Sequence, residues 1–174
     1  MRVRLRLKGP ADADAVFRLL SDMTVIRYMS FPLFTRADAE TFVNELQPAA
    51  LGPGRYSVDR AIVPQDGDAV IGLCGLVVDR ERDDAEAWYL LEPAMWGRGL
   101  AAQALRQLLA TGFEDYGLHR IWACAAPANA ASARVMEKAG MRREGHIRQN
   151  LRIHGEWHDS LVYAMLAEEW AGAK

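Results

Sequence analysis

The stretch Leu91-Glu92-Pro93-Ala94-Met95-Trp96-Gly97-Arg98-Gly99-Leu100-Ala101 decides how the chain is read. Before it, Glu86 to Leu91 is a strand-like run that ends at Pro93. After it, Leu100, Leu105, Leu108, Leu109 and Phe113 recur at helical spacing, and the helix is expected to end near Gly117. The segment is therefore a strand-to-helix junction with glycines at alternate positions. A helix N-terminus presents backbone N–H groups without intrahelical partners and the positive end of the helix dipole. Glycines at 97 and 99 carry no Cβ, so the main chain can close around an anion, and Arg98 adds a positive group. The Lys-Ser/Thr of a nucleoside-triphosphate loop is missing, and the spacing is not the Gly-x-Gly-x-x-Gly of a dinucleotide site. A pyrophosphate held by backbone is the anion this leaves. Taken alone, the residues fit a tight strand-helix turn equally well.

Working outward, Tyr56, Val58 and Ile62 mark a strand, Gln65 to Asp68 a turn, and Ala69 to Val78 a nearly continuous apolar strand. Asp83-Asp84 turns the chain into Glu86–Leu91, so these strands form an antiparallel meander. At the N-terminus, Val3, Leu5 and Leu7 alternate with Arg2, Arg4, Arg6 and Lys8, the period-2 pattern of a half-buried strand. Gly9-Pro10 ends it, and Asp12 is placed to cap a helix carrying Val16, Phe17, Leu19 and Leu20. A polar-aromatic stretch runs from Ser21 to Phe34. Thr35-x-x-Asp38 is a capping-box start to a second helix with Phe42, Val43 and Leu46 on one face, and Gln47 to Gly54 reads as a loop. Beyond the junction, Arg120–Ala125 is a strand and Asn129–Lys138 a short helix closed by Gly140. Met141–Ile153 and Trp157–Leu166 are strands around a turn at His154-Gly155. The predicted order is β-α-α-β-β-β-α-β-α-β-β, a mixed α/β fold in one domain spanning 1–174.

Composition narrows the function. With 51% apolar and 25% charged residues among 174, the chain is an ordinary globular sequence rather than a disordered one. No apolar run is long enough for a transmembrane helix, and MRVRLRLK lacks the apolar core of a secretory signal. Cys74 and Cys124 lie in apolar runs and are expected to be buried reduced thiols in a cytoplasmic protein. A net charge of −2 argues against a nucleic-acid binder. The two His of His154-Gly-Glu-Trp-His158 have no Cys or third His nearby, so no metal site is expected.

A second constellation follows the next strand. Asn129-Ala-Ala-Ser132 opens a helix, with Arg134 and Lys138 after it. Both Asn129 and Ser132 suit simple capping. Together, however, Trp96-Gly-Arg-Gly-Leu-Ala101, Asn129-Ala-Ala-Ser132-Ala-Arg-Val-Met-Glu-Lys138-Ala-Gly-Met141, Arg143-Glu-Gly-His146 and Gly155-Glu-Trp-His-Asp159 resemble the GNAT superfamily of N-acetyltransferases. Within it they are most similar to the ribosomal-protein N-terminal acetyltransferase (RimJ/RimL-like) type, over nearly the whole chain.

The resemblance implies a central mixed, mostly antiparallel sheet of about seven strands with a splayed pair, flanked by about four helices. It implies acetyl-CoA as co-substrate, with the amides of Trp96, Gly97, Arg98, Gly99, Leu100 and Ala101 on its pyrophosphate. Tyr89, Leu90 and Leu91 would pair with the pantetheine arm, one of their amides would polarise the thioester carbonyl, and Asn129 would bond the pantetheine with Ser132 near the sulfur. Glu86, in Glu-Ala-Trp-Tyr, is the implied general base through water, and Ser132 the implied acid for the departing thiolate. Many relatives carry Tyr four residues after this Ser; here Met136 stands there and has no proton to give. Direct attack needs no covalent enzyme intermediate, so neither cysteine is required as nucleophile. Tyr28, Phe31, Trp88 and Arg148 are the acceptor-binding candidates, with Phe34, His154, Trp157 and His158 beside them. The favoured acceptor is a protein N-terminal amine. A small amine (polyamine or amine antibiotic) and a non-catalytic acyl-CoA-binding module are the alternatives, and the family resemblance admits a homodimer.

Overall fold

A computed structural model describes residues 1–45 and 47–172. The strands are β1 (Val3–Arg6), β2 (Ala49–Gly52), β3 (Arg55–Pro64), β4 (Gly72–Asp79), β5 (Asp84–Leu91), β6 (Arg120–Ala125), β7 (Arg142–Ile153) and β8 (Glu156–Leu166). They form one sheet in the order β1-β3-β4-β5-β6-β8-β7, with β2 paired to β3. Every pairing is antiparallel except β5–β6, which is parallel. The helices are α1 (Ala13–Leu20), α2 (Met23–Ile26), α3 (Arg36–Asn44), α4 (Leu100–Ala110), α5 (Ala130–Ala139) and α6 (Ala167–Gly172).

The period-2 alternation of the strands sorts side chains to two cores, one on each face of the sheet. Val58, Ile62, Cys74, Leu76, Val78, Ala85, Ala87 and Leu91 meet Leu105, Leu108 and Leu109 of α4 and Met136 of α5. Ala61, Val63, Leu73 and Leu90 face the other way, onto Val16, Leu19 and Leu20 of α1, Ile26 of α2 and Val43 of α3. On β5 this puts Tyr89 on the α4–α5 face and Trp88 on the α1–α3 face.

Several expectations need correction. Asp12 stands at the start of α1 but makes no capping bond there. Its carboxylate is instead held by both Arg6 guanidinium nitrogens at 2.7 Å and by the Gly9 amide at 2.9 Å, and the Arg6 bonds hold it below the usual carboxylate range. The segment read as a loop at 47–54 contains β2, a short edge strand folded back on β3 through Ala49–Ser57 and Ala50–Tyr56. The stretch 21–34 contains α2, capped by the Asp22 side chain, which accepts from the Thr24 amide at 2.8 Å. With α6 after β8, this raises the count from the expected four helices to six among the described residues. The strand expected over Ala69–Val78 also starts later than expected, since Ala69 to Ile71 precede β4. The Thr35–Asp38 capping box, Arg120–Ala125, the Gly140 closure and the 154–155 turn stand where the sequence puts them. Leu46, expected on the apolar face of the second helix, lies outside the described residues.

Candidate active site

The Trp96–Ala102 junction is shaped by conformation. Gly97 and Gly99 both have φ of +74°, where a side chain costs about 1–2 kcal/mol. A Cβ at either position would meet nothing within 4 Å, so the concave side of the turn is open. The first helical amide with an intrahelical partner is that of Gln103, bonded to the Gly99 carbonyl at 3.3 Å. The N–H groups of Leu100, Ala101 and Ala102 come before it and have no intrahelical acceptor. Trp96 ties this turn to the sheet by donating its indole N–H to the Leu91 carbonyl at 2.8 Å. The arrangement suits a diphosphate: main-chain donors, a positive helix end, and Arg98 exposed beside them.

Next to this turn the sheet opens. β5 and β6 pair only at Asp84–Arg120, Ala85–Ile121 and Glu86–Trp122, while β5 runs on to Leu91 and β6 to Ala125. Beyond Glu86 the two strands part. The resulting gap faces a cavity of about 430 Å³ that reaches across the α1–α3 face.

Glu86 lines this cavity at the point of divergence. Its partner is the Cys124 thiol, 3.9 Å away across the gap. Burial pushes its carboxyl above the ordinary range, against the smaller opposing effects of that thiol and of Arg55. Trp88, one turn of the pleat along, is half-buried and meets Phe31 edge-on at 6.4 Å. Its indole lies over Gly75, where a Cβ would come within 2.7 Å of both the Trp88 ring nitrogen and an Asp59 carboxylate oxygen. Gly75 is thus the space that lets Trp88 lie flat on the sheet.

Asp59 sits at the cavity's far side in a network that sequence reading missed. Lys8, whose side chain is 0% exposed, reaches to 3.5 Å from both Asp59 and Glu45 and lies 3.4 Å over the Phe42 ring, also donating to the Phe42 carbonyl. Asp59 further accepts from Ser57 at 3.2 Å and Gln47 at 3.3 Å. Burial still pushes its carboxyl up, with Lys8 opposing. Alternation did not signal it: Lys8 falls on the polar side of the N-terminal pattern and follows β1, and Asp59 falls between the apolar positions Val58 and Ile62 of β3, yet both are buried.

On the opposite face of the sheet, Asn129 caps α5 by accepting from the Ser132 amide at 3.2 Å, so the capping role is realised. Ser132 lies in the first turn of that helix and lines the cavity. Its hydroxyl is 2.7 Å from the Tyr89 phenol, a contact in which either oxygen can donate, and the Ser132 carbonyl is a second acceptor for that phenol at 3.1 Å. Met136 is fully buried in the core. The structure therefore brings Glu86, Trp88, Tyr89, Asn129 and Ser132 to one cavity, together with Tyr28, Phe31 and Phe34. Leu90 and Leu91 are buried at its edge. Arg148 does not join them: it is exposed on β7 and outside the cavity lining. From that hairpin Leu151 and Ile153 enter instead, after a bulge between Ile147 and Leu151 in which Gln149 takes a φ of 47°. Trp157 is 60% exposed, and His154 contacts the Ile26 carbonyl at 3.3 Å.

Burial pushes the buried Cys74 thiol up, and Cys124 up to about 12, so neither is a thiolate near neutral pH. No group of three His, Cys, Asp or Glu among the described residues is placed to hold a metal.

A parallel strand pair thus parts beside a glycine turn, with the Glu86 carboxyl and the Ser132 hydroxyl lining the cavity at the gap. Residues 2–142 match the family model described as the acetyltransferase (GNAT) domain. The chain is 34% identical over 159 residues to the uncharacterized N-acetyltransferase YnaD of Bacillus subtilis (strain 168), covering 91% of this chain and 90% of YnaD. The crystal structure of a GNAT-family acetyltransferase from Bacillus anthracis superposes with a TM-score of 0.84 at 31% identity, over 97% of each chain. Mycobacterium smegmatis RimJ in complex with CoA-disulfide gives 0.83 at 26% identity, over 96% of this chain and 83% of RimJ. This chain belongs to the GNAT acetyltransferases. It is an acetyl-CoA-dependent N-acetyltransferase, and the open glycine turn fits the co-substrate's diphosphate.

Proposed function

We propose that the acceptor is a protein N-terminal amine, with Glu86 taking the ammonium proton and Ser132 supplying one to the departing sulfur. The observation that carries this reading is the opposition of the two groups. Glu86 faces the cavity on one side of the sheet and Ser132 heads α5 on the other, and the sheet is open between them only where β5 and β6 part.

Acetyl-CoA supplies an acetyl group already activated as a thioester. The Gly97–Ala102 main chain would hold its diphosphate, Asn129 and the free edge of Tyr89–Leu91 its pantetheine arm, with a β5 amide near Tyr89 or Leu90 aimed at the carbonyl where negative charge develops. The acceptor amine is an ammonium at neutral pH and is inert until it loses a proton. A carboxylate raised by burial is a stronger base than a solvated one, and Glu86 has that environment. Holding both reactants at one gap supplies the rest of the rate through orientation.

Charge counting favours one ammonium. Asp59 is compensated by Lys8, whereas the partner of Glu86 is a thiol. The remaining walls, Phe31, Phe34 and Trp88, suit a small apolar first side chain. The putative ribosomal N-acetyltransferase YdaF of Bacillus subtilis (strain 168), 35% identical over 106 residues that make up 59% of this chain and 58% of YdaF, supports the same acceptor class. Glu45, sharing Lys8 at the cavity's rim, favours the second reading, a small amine with another cationic group.

The test is thiol release from acetyl-CoA against N-terminal peptides, polyamines and aminoglycosides. Peptides with a small first residue should have the highest kcat/KM. A polyamine or aminoglycoside outrunning every peptide would replace the first reading with the second. Peptides acetylated only on lysine side chains would overturn both.

A further inference from the structure

The sequence leaves a gap in the proton inventory. Met136 occupies the α5 position where a phenol would be expected, and its side chain is fully buried. The fold nevertheless supplies a phenol from another element. Tyr89 is the β5 residue just after Trp88, and strand alternation sends it to the α4–α5 face while Glu86 and Trp88 point the other way. Its hydroxyl ends 2.7 Å from Ser132 Oγ, where it can be the donor, and 3.1 Å from the Ser132 carbonyl.

We propose that Tyr89 is a positioning residue for departure of the thiol, fixing the rotor of the Ser132 hydroxyl so that its proton is directed at the CoA sulfur. The argument is one of hydrogen-bond counting. A serine hydroxyl has one proton and two lone pairs, and its rotor is free unless a partner fixes it. Given to Oγ at 2.7 Å rather than to the Ser132 carbonyl at 3.1 Å, the one phenol proton of Tyr89 occupies an Oγ lone pair and leaves the Ser132 proton free of Tyr89, while the Asn129 cap fixes the Ser132 amide. The remaining direction for the Ser132 proton is the cavity. Burial pushes the Tyr89 phenol up to about 12, so it stays protonated throughout the working range and has a proton to donate to Oγ.

This inference rests on the reading of Ser132 as proton donor. In that step the amine lone pair forms the C–N bond and the C–S electron pair moves onto sulfur. The Ser132 proton goes to sulfur, and Oγ is reprotonated from solvent. The ammonium gives one proton to Glu86 before attack, and the nitrogen sheds a second to solvent once the C–N bond has formed; one proton reaches sulfur, so each turnover releases one net proton.

The experiment is steady-state kinetics on Tyr89→Phe, Ser132→Ala and the double variant, with acetyl-CoA binding measured by calorimetry. Tyr89→Phe keeps the ring and deletes the hydroxyl. It should lower kcat about tenfold, leave acetyl-CoA affinity within about twofold, and add nothing further in the Ser132→Ala background. Ring-fluorinated tyrosine at position 89, which keeps the hydroxyl but makes it more acidic, should hold kcat within about twofold and tests the same point without altering the packing. Losses that multiply in the double variant, full activity in Tyr89→Phe, or a kcat that follows the acidity of the fluorinated phenol would each overturn the positioning role. Full activity in Ser132→Ala would instead overturn the reading beneath it.

Discussion

At the Trp96–Ala102 turn the groups offered to a ligand are main-chain amides, positioned by two glycines at φ +74° and one helix start. Across the gap, the groups that would meet an acceptor on the proposed reading are side chains drawn from β3, β5, β6, β7, α5 and the 21–34 segment. The first region is local: a few consecutive residues make it. The second is assembled from segments more than a hundred residues apart, as between Tyr28 and Leu151. A site made of backbone binds whatever shares a diphosphate and resists change through side-chain substitution. A site made of side chains can be altered one residue at a time without disturbing the co-substrate, which is how one fold serves many acceptors.

Glu86→Gln tests that separation hardest. It should lower kcat/KM for the amine by about 10²–10⁴-fold while calorimetry finds acetyl-CoA binding intact. A Glu whose carboxyl is raised by burial must lose its proton before it can act, so wild-type kcat/KM should fall as pH drops through a midpoint above the ordinary glutamate range. The same shift means that ionised Glu86 opposes folding above that range and has no such effect below it. Glu86→Gln should therefore melt higher than wild type at neutral pH and equally at low pH, in thermal scans across that interval.

Gly99→Ala attacks the other region. A Cβ at φ +74° costs about 1–2 kcal/mol and projects into the open side of the turn. The KM for acetyl-CoA should rise about tenfold, with the KM for the amine unchanged and the melting temperature slightly lower. An unchanged acetyl-CoA KM would show that the turn does not hold the diphosphate. The mildest change is Trp88→Phe. It keeps an aromatic wall but loses the indole's cover over Gly75, and should shift acceptor KM by about fivefold, near 1 kcal/mol, with no effect on acetyl-CoA. Should it alter both, the two regions are coupled.

Much of this molecule follows from short-range rules. The Thr35–Asp38 box, the Asn129 cap, the Gly97 and Gly99 turn and the exact extent of β6 each depend on residues within a few positions of one another, and all were legible. Short elements were not. β2 and α2 have too few residues to display a period, and they persist because β3 and the α1–α3 core receive them. Asp12 illustrates the limit from the other side: local pattern suggested a cap, and a partner on β1, Arg6, took the carboxylate instead.

The sequence by itself determined the order of the longer strands and helices, the glycine turn and the family, because backbone conformation and periodicity are written in neighbouring residues. The resemblance already implied a splayed pair; only the tertiary structure decided that its last pairing is Glu86–Trp122, that Lys8 and Asp59 share one buried network, and that a phenol from β5 meets the Ser132 hydroxyl. Those facts depend on strand register and on which face each residue takes once distant segments pair, and nothing in a single strand's pattern specifies its neighbour's alignment.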